Sequence, residues 1–260
     1  MTLDVPMYVF RHYANAMINL TRCALALRLR SCGAWMWDIL VWTGDSLTLV
    51  FSRAREAECD CCGWRGNRFF LQTFITGAKV HTAREMCPKC LSLGRQRQLV
   101  RHLRDRTLLS AHSPLRILDI GPGRAEVEWF QKQGYDIVSA DLMPGIATIR
   151  MDITRCAFKD NVFDVIACSH VLEHIPDDLA AMKEILRVLK EGKTCIVQVP
   201  LQPSLLTTIE YDRPNPDEFD HVRAYGLDFA SRLESAGFKV TYANNELFEV
   251  TKPKPALKTS

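Results

Sequence analysis

Residues 116–123 read RILDIGPG, an apolar run that breaks directly into a glycine turn. Arg116–Ile120 has the pattern of a strand buried on both faces. Gly121 and Gly123 let the chain turn tightly with little side-chain bulk, so that the next helix aims its N-terminal amides into the crevice beyond the strand. Downstream the periodicity alternates. Strands are expected near residues 116–120, 136–140, 148–151, 163–168, 194–199 and 239–243, with a last one near 247–251; helices are expected near 125–133, 177–190 and 227–236. This alternation predicts an α/β fold, a Rossmann-like doubly wound and mostly parallel sheet with helices on both faces and its ligand crevice at the C-terminal strand ends.

The residues at those ends select the ligand. A dinucleotide fingerprint G-x-G-x-x-G would need glycine at 126, where Glu126 stands, which disfavours a nicotinamide dinucleotide. Asp119 instead lies inside the first turn, Asp141 ends the second strand where a carboxylate can bridge two ribose hydroxyls, and Asp152 follows the third where one can accept from an adenine amino group. Together they outline a nucleoside site without a phosphate grip.

Residues 115–245 resemble a class I S-adenosylmethionine-dependent methyltransferase of the branch that includes the quinone-biosynthesis enzymes. The likeness rests on Asp119, Gly121, Pro122 and Gly123 in the first motif, Asp141 with Leu142 in the second, and Asp152 with Ile153 in the third. The strand-four segment FDVIACSHVLEHIP (163–176), LRVLKEGK (186–193) and AGF (236–238) extend it. Many members have a third glycine where Ala125 stands, and residues 142–147 leave little room for the usual helix between strands two and three. The resemblance implies a seven-stranded sheet, S-adenosylmethionine as cofactor, and Ser169 and His170 lining its pocket.

Upstream, Cys59 and Cys62 pair with Cys87 and Cys90 as two C-x-x-C motifs separated by 24 residues. Four thiolates at this spacing suit tetrahedral zinc, which can fold a segment too small to fold by its own core. No His, Asp or Glu stands at the spacing of an open catalytic site, so the zinc is expected to be structural. Cys61 can replace Cys59 or Cys62 as ligand, although Gly63 favours the 59/62 pair. The intervening Phe69, Phe70, Leu71 and Phe74 suggest a short hairpin. Residues 93–109 follow as a basic amphipathic helix, with Arg95, Arg97, Arg101, Arg104 and Arg106 around an apolar stripe.

Charge is uneven: residues 59–116 carry 11 Lys/Arg against 3 Asp/Glu, whereas residues 117–260 carry 16 against 22. A basic appendage on an acidic domain can dock an anionic partner, or its arginines can simply face water. The organisation expected is an apolar segment 1–55, a zinc-ribbon-like module with the basic helix at 56–110, a methyltransferase domain at 111–251 and a disordered tail at 252–260. Arg22, Asp38 and Asp45 interrupt the apolar runs of residues 1–55, so neither run has the length of a spanning helix. Packing or partial disorder is expected there, with peripheral membrane contact as the other reading. Ten cysteines without a disulfide pattern fit a reducing cytoplasm.

Methyl transfer from a sulfonium needs mainly alignment, and a base only when the acceptor is a hydroxyl or protonated amine. Candidate bases are His170, His174 and His221, with Glu173 and Tyr225 behind them. The loop 201–219 is long for a connection and is expected to form part of an acceptor lid. The leading expectation is a methyltransferase acting on O or N of a small or medium acceptor such as a sugar or metabolite. The alternatives are an rRNA or tRNA methyltransferase that holds RNA through residues 95–106, and a non-catalytic zinc-binding interaction protein that retains the cofactor fold.

Overall fold

The computed structural model describes residues 56–106, 115–143, 145–244 and 246–254. Residues 1–55 and 255–260, with the expectations attached to them, lie outside the described residues. The chain divides into two compact units at Gln98/Leu99.

The first unit contains the short pair β1 (Ala57–Glu58) and β2 (Arg65–Gly66), then the antiparallel hairpin β3 (Phe70–Thr76) and β4 (Lys79–Met86). Helix α1 runs Gly94–Asp105, and the unit boundary falls within it.

The second unit is built on a seven-stranded sheet. Its strands are β5 (Arg116–Ile120), β6 (Asp136–Asp141), β7 (Ile149–Arg150), β8 (Phe163–Ser169), β9 (Leu189–Gln198), β12 (Lys239–Ala243) and β13 (Leu247–Thr251), in the order β12-β13-β9-β8-β5-β6-β7. Neighbours from β9 to β7 pair in parallel, and β13 runs antiparallel to both β9 and β12. Helices α2 (Arg124–Lys132), α3 (Asp178–Val188) and α4 (Phe229–Ser235) cover it.

Side chains alternate between faces along each strand, and the core divides accordingly. Leu118, Ile120, Ile166, Cys168, Cys195 and Val197 join Met182, Ile185, Phe229 and Leu233 in one buried cluster. Ile117, Val165, Ala167 and Ile196 join Leu99, Leu103 and Phe130 in the other. The apolar stripe of α1 therefore closes the second face, alongside α2.

Three places differ from the sequence reading. β9 begins at Leu189, five residues before the expected start, because a register shift between Phe163 and Val165 keeps Leu189 paired with Phe163, and Gly192 (φ +68°) turns within the strand. The expected lid contains a β-ribbon, β10 (Ile209–Asn215) paired with β11 (His221–Ala224). Lys252, placed in the tail by sequence, is anchored: its Nζ donates to Asn161 Oδ1 and to the carbonyls of Arg187 and Leu189 at 2.7–3.1 Å.

Candidate active site

The first strand delivers Asp119 into a fully buried position where neither carboxylate oxygen accepts a hydrogen bond from a protein group. Burial, with the charge of Glu126 added, pushes its carboxyl well above the usual range. Gly121 follows at φ +68°, and a Cβ there would run into Val171 Cγ2. The glycine turn thus abuts the turn after β8, and only glycine both adopts the backbone angle and leaves the space. Glu126 on α2 accepts from the Gly123 N–H at 2.5 Å, fixing the mouth of the helix.

Asp141 ends β6 half-buried and accepts from the Met143 N–H at 2.9 Å, while Leu142 and Met143 are exposed beside it. Asp152 caps the helical turn Ile153–Arg155, accepting from both the amide and the hydroxyl of Thr154, whose hydrogen bonds hold its carboxyl below the ordinary range. Ile153 is buried in the core, Pro122 is half-buried, and Ser169 spends its hydroxyl on Gln198 Oε1 at 3.0 Å. A buried acid lacking a donor, a glycine cradle that a Cβ would fill, and an acid with exposed apolar neighbours at the next strand end all fit S-adenosylmethionine.

On the other side of the glycine turn, the 170–174 segment carries a cluster of imidazoles. His170 leaves β8 with φ +54°, a left-handed conformation that is costly for a side chain with a Cβ and tends to mark functional sites. Its Nδ1 lies 3.4 Å from Oε1 of Glu173, and its Nε2 is buried without a hydrogen-bond partner. Glu173 is itself fully buried, with no hydrogen bond to either oxygen. One ligand atom each of Glu173, His174 and His221 lie within 4.8 Å of one another, and the His174 and His221 rings meet edge to face at 4.8 Å. Burial lowers the pKa of His221 against the opposing charge of Glu173.

His221 comes from the ribbon, and Arg223, two residues on, fixes the ribbon to the turn. Its guanidinium donates to the carbonyls of Leu172, Ile175 and Pro176 at 2.5–3.0 Å and to Glu210 at 2.9 Å. Phe219 and Asp220, both left-handed, make the reversal that delivers His221. This role of Arg223 is not legible in the sequence, because the contacts join residues 47 to 51 positions apart. Tyr225, grouped with the candidate bases by sequence, is wholly buried and donates to Asp178 at 2.7 Å. It therefore braces the fold and does not reach the crevice.

In the first unit the cysteines pair across two similar turns. The Cys59–Cys90 and Cys62–Cys87 sulfurs stand 3.6 and 3.7 Å apart, and all four lie within 4.8 Å of one another. A tetrahedral ion at Zn–S ≈ 2.3 Å would set sulfurs about 3.8 Å apart. The turns close through Gly63 N–H to Cys59 O and Leu91 N–H to Cys87 O, with Gly63 and Leu91 both at positive φ. Cys61 is buried outside the four-sulfur group, and contact with Cys59, followed by burial, pushes its thiol up.

The arginines of α1 have diverse surroundings. Arg97 is buried, donates to the carbonyls of Glu85 and Ser92 at 2.6 and 2.7 Å, and stacks 3.8 Å over Phe69. Arg106 pairs with Glu249 at 3.1 Å, whereas Arg95, Arg101 and Arg104 are exposed. Arg97 is thus spent on contacts within the fold.

The sheet order with one antiparallel strand, the glycine turn and the acids at successive strand ends define a class I methyltransferase fold. The family model described as "Methyltransferase domain" matches residues 93–243, and the chain belongs to that family of S-adenosylmethionine-dependent methyltransferases. The chain is 31% identical over 189 residues to a demethylmenaquinone methyltransferase of Beutenbergia cavernae, covering 59% of this chain and 78% of that one. It is also 37% identical over 97 residues to an uncharacterized protein of Methanocaldococcus jannaschii, and 32% identical over 87 residues to the sterol 4-C-methyltransferase strm-1 of Caenorhabditis elegans. The chain spans only 40% and 24% of those two relatives. Among solved structures, an S-adenosylmethionine-dependent methyltransferase from Mesorhizobium loti is similar over 58% of this chain and 97% of its own, at 13% identity and a TM-score of 0.46. Among the described residues no helix is long and apolar enough to cross a membrane.

Proposed function

We propose that the protein methylates an oxygen or nitrogen of a small or medium acceptor held between the glycine turn and the β10–β11 ribbon. The observation that carries this reading is the convergence of His170, His174 and His221 on buried Glu173, next to the turn that cradles the cofactor. Bound S-adenosylmethionine supplies a methyl group already activated on a sulfonium, whose sulfur keeps the bonding electrons as the new bond to the acceptor forms. Asp141, with Leu142 and Met143, would hold the nucleoside, while Asp119 and Gly121 would shape the cradle. The imidazole of His170, whose Nε2 has no hydrogen-bond partner, takes the acceptor's proton, and Arg223 fixes the distance between the two halves of the cluster, since misplacement by an ångström can cost a hundredfold in rate.

In the same reading Cys59, Cys62, Cys87 and Cys90 hold a structural zinc, supported by the sulfur spacing and the paired turns. The first experiment is calorimetric binding of S-adenosylmethionine and S-adenosylhomocysteine to wild type and Asp141→Ala. Micromolar binding that weakens at least tenfold in the variant supports the cofactor assignment; no binding by folded wild-type protein overturns it. Screening hydroxyl and amine acceptors with His221→Ala and His170→Ala then tests the acceptor side. Those variants should lose turnover while retaining affinity for S-adenosylhomocysteine in the His221 variant.

A further inference from the structure

We infer that Glu173, His174 and His221 form a binding site for a divalent first-row transition cation at the acceptor end of the crevice. Two imidazoles and one carboxylate are a donor set suited to zinc, iron(II), cobalt(II) or manganese(II), and three protein ligands leave coordination positions open. Their ligand atoms are gathered within 4.8 Å from two separate elements, the turn after β8 and strand β11. Glu173 forms the floor, fully buried, while His174 is exposed at the rim.

Among the described residues the carboxylate of Glu173 has one facing group besides His174 and His221, the His170 imidazole, whose Nδ1 lies 3.4 Å from Oε1. Neither oxygen accepts a hydrogen bond, and no Lys or Arg pairs with it. Arg223 directs its guanidinium to three carbonyls and Glu210. A fully buried carboxylate that accepts no hydrogen bond is expensive, and a bound cation offsets that cost. His170, 3.4 Å from Glu173 Oε1, stands where an outer residue orients a ligating carboxylate, and Arg223 holds both ligand-bearing elements in register. This site differs in kind from the four-thiolate group: it is open, mixed in its donors and placed beside the glycine turn. Its position relative to the acceptor rests on the methyltransferase reading above, but cation binding does not.

The test is zinc retention by the full-length chain after loading with excess zinc and gel filtration, read by atomic emission. It compares wild type, Glu173→Gln, the pair His174→Ala/His221→Ala, and Cys87→Ser/Cys90→Ser. The expected result is one equivalent of zinc that persists in the cysteine variant and is lost in the histidine pair, with at least a tenfold weaker zinc affinity in Glu173→Gln. Calorimetric affinity for S-adenosylhomocysteine in the same histidine variant reports an intact fold and keeps failure of the cofactor reading separate from failure of the metal site. Cobalt(II) added to the cysteine variant should give visible d–d bands without thiolate charge transfer, lost on replacing His174 and His221. Zinc content that is the same in wild type and the histidine pair, or cobalt bands indifferent to those histidines, overturns the inference.

Discussion

Among the described residues between Cys59 and Gln98 the buried apolar cluster is small, Phe70 and Met86 with Leu93 packed against them, whereas the sheet unit encloses a cluster on each face. Among its described residues the first unit gathers four sulfurs, and Arg97 ties the start of α1 to Glu85 and Phe69. The second distributes it over parallel strand pairs and interdigitated side chains. A local set of ligands can define a short segment that burial alone would leave marginal, while a large α/β core needs none.

The largest expected effect separates these two modes. If the four cysteines hold zinc as proposed, replacing Cys87 and Cys90 by serine should abolish amide-exchange protection across residues 57–92 and leave that of residues 116–251 unchanged; a structural zinc is worth on the order of 10 kcal/mol. Equal loss in both units would show that the sheet relies on the metal, and no loss in either would remove zinc from the first unit.

Asp178 sharpens the comparison from the other side. It is fully buried and accepts from Tyr225 at 2.7 Å and from two nitrogens of Arg232 at 2.7 Å. Asp178→Ala leaves those donors facing a cavity and should destabilise the sheet unit by about 3–5 kcal/mol in urea unfolding, without changing zinc content.

At the cofactor turn, Gly121→Ala meets both a left-handed backbone and Val171. The conformational cost alone is about 1–2 kcal/mol. Affinity for S-adenosylhomocysteine should fall at least tenfold, with partial recovery when Val171→Ala relieves the contact.

The smallest effect is a pH dependence. Burial alone would raise the Glu249 carboxyl, but hydrogen bonds from Arg106 and His102 outweigh it and hold it below the usual range. A carboxyl lowered in the folded state adds stability above its unfolded pKa of about 4.3, and that stability is lost as pH falls through the folded value. Glu249→Gln should therefore narrow the difference in stability between pH 6 and pH 3, and unchanged acid sensitivity would count against the contribution of this carboxylate.

Much of the sheet was legible because its strands are short apolar runs bounded by glycine or acid, and Arg116–Ile120, Lys239–Ala243 and Leu247–Thr251 lie where periodicity puts them. The early start of β9 was hidden because residues 190–193 are polar and glycine-containing, and the pairing of Leu189 with Phe163 comes only across a register shift. The β10–β11 ribbon was read as a loop because Pro214, Pro216 and a run of acids look like connection chemistry, and its pairing is closed by residues across a reversal.

The nature of the fold and the identity of the chemistry-bearing residues were written in the chain itself: glycine at a position needing positive φ, acids at strand ends and thiols at two-residue spacing are local requirements that local sequence can satisfy. The tertiary structure decided which of these residues meet. It brought His221 from a ribbon to Glu173 and His174, buried Arg97 and Tyr225, and made Arg223 the link between two distant segments. Such contacts depend on how strands and turns pack across about fifty residues of chain, and no periodicity records that distance.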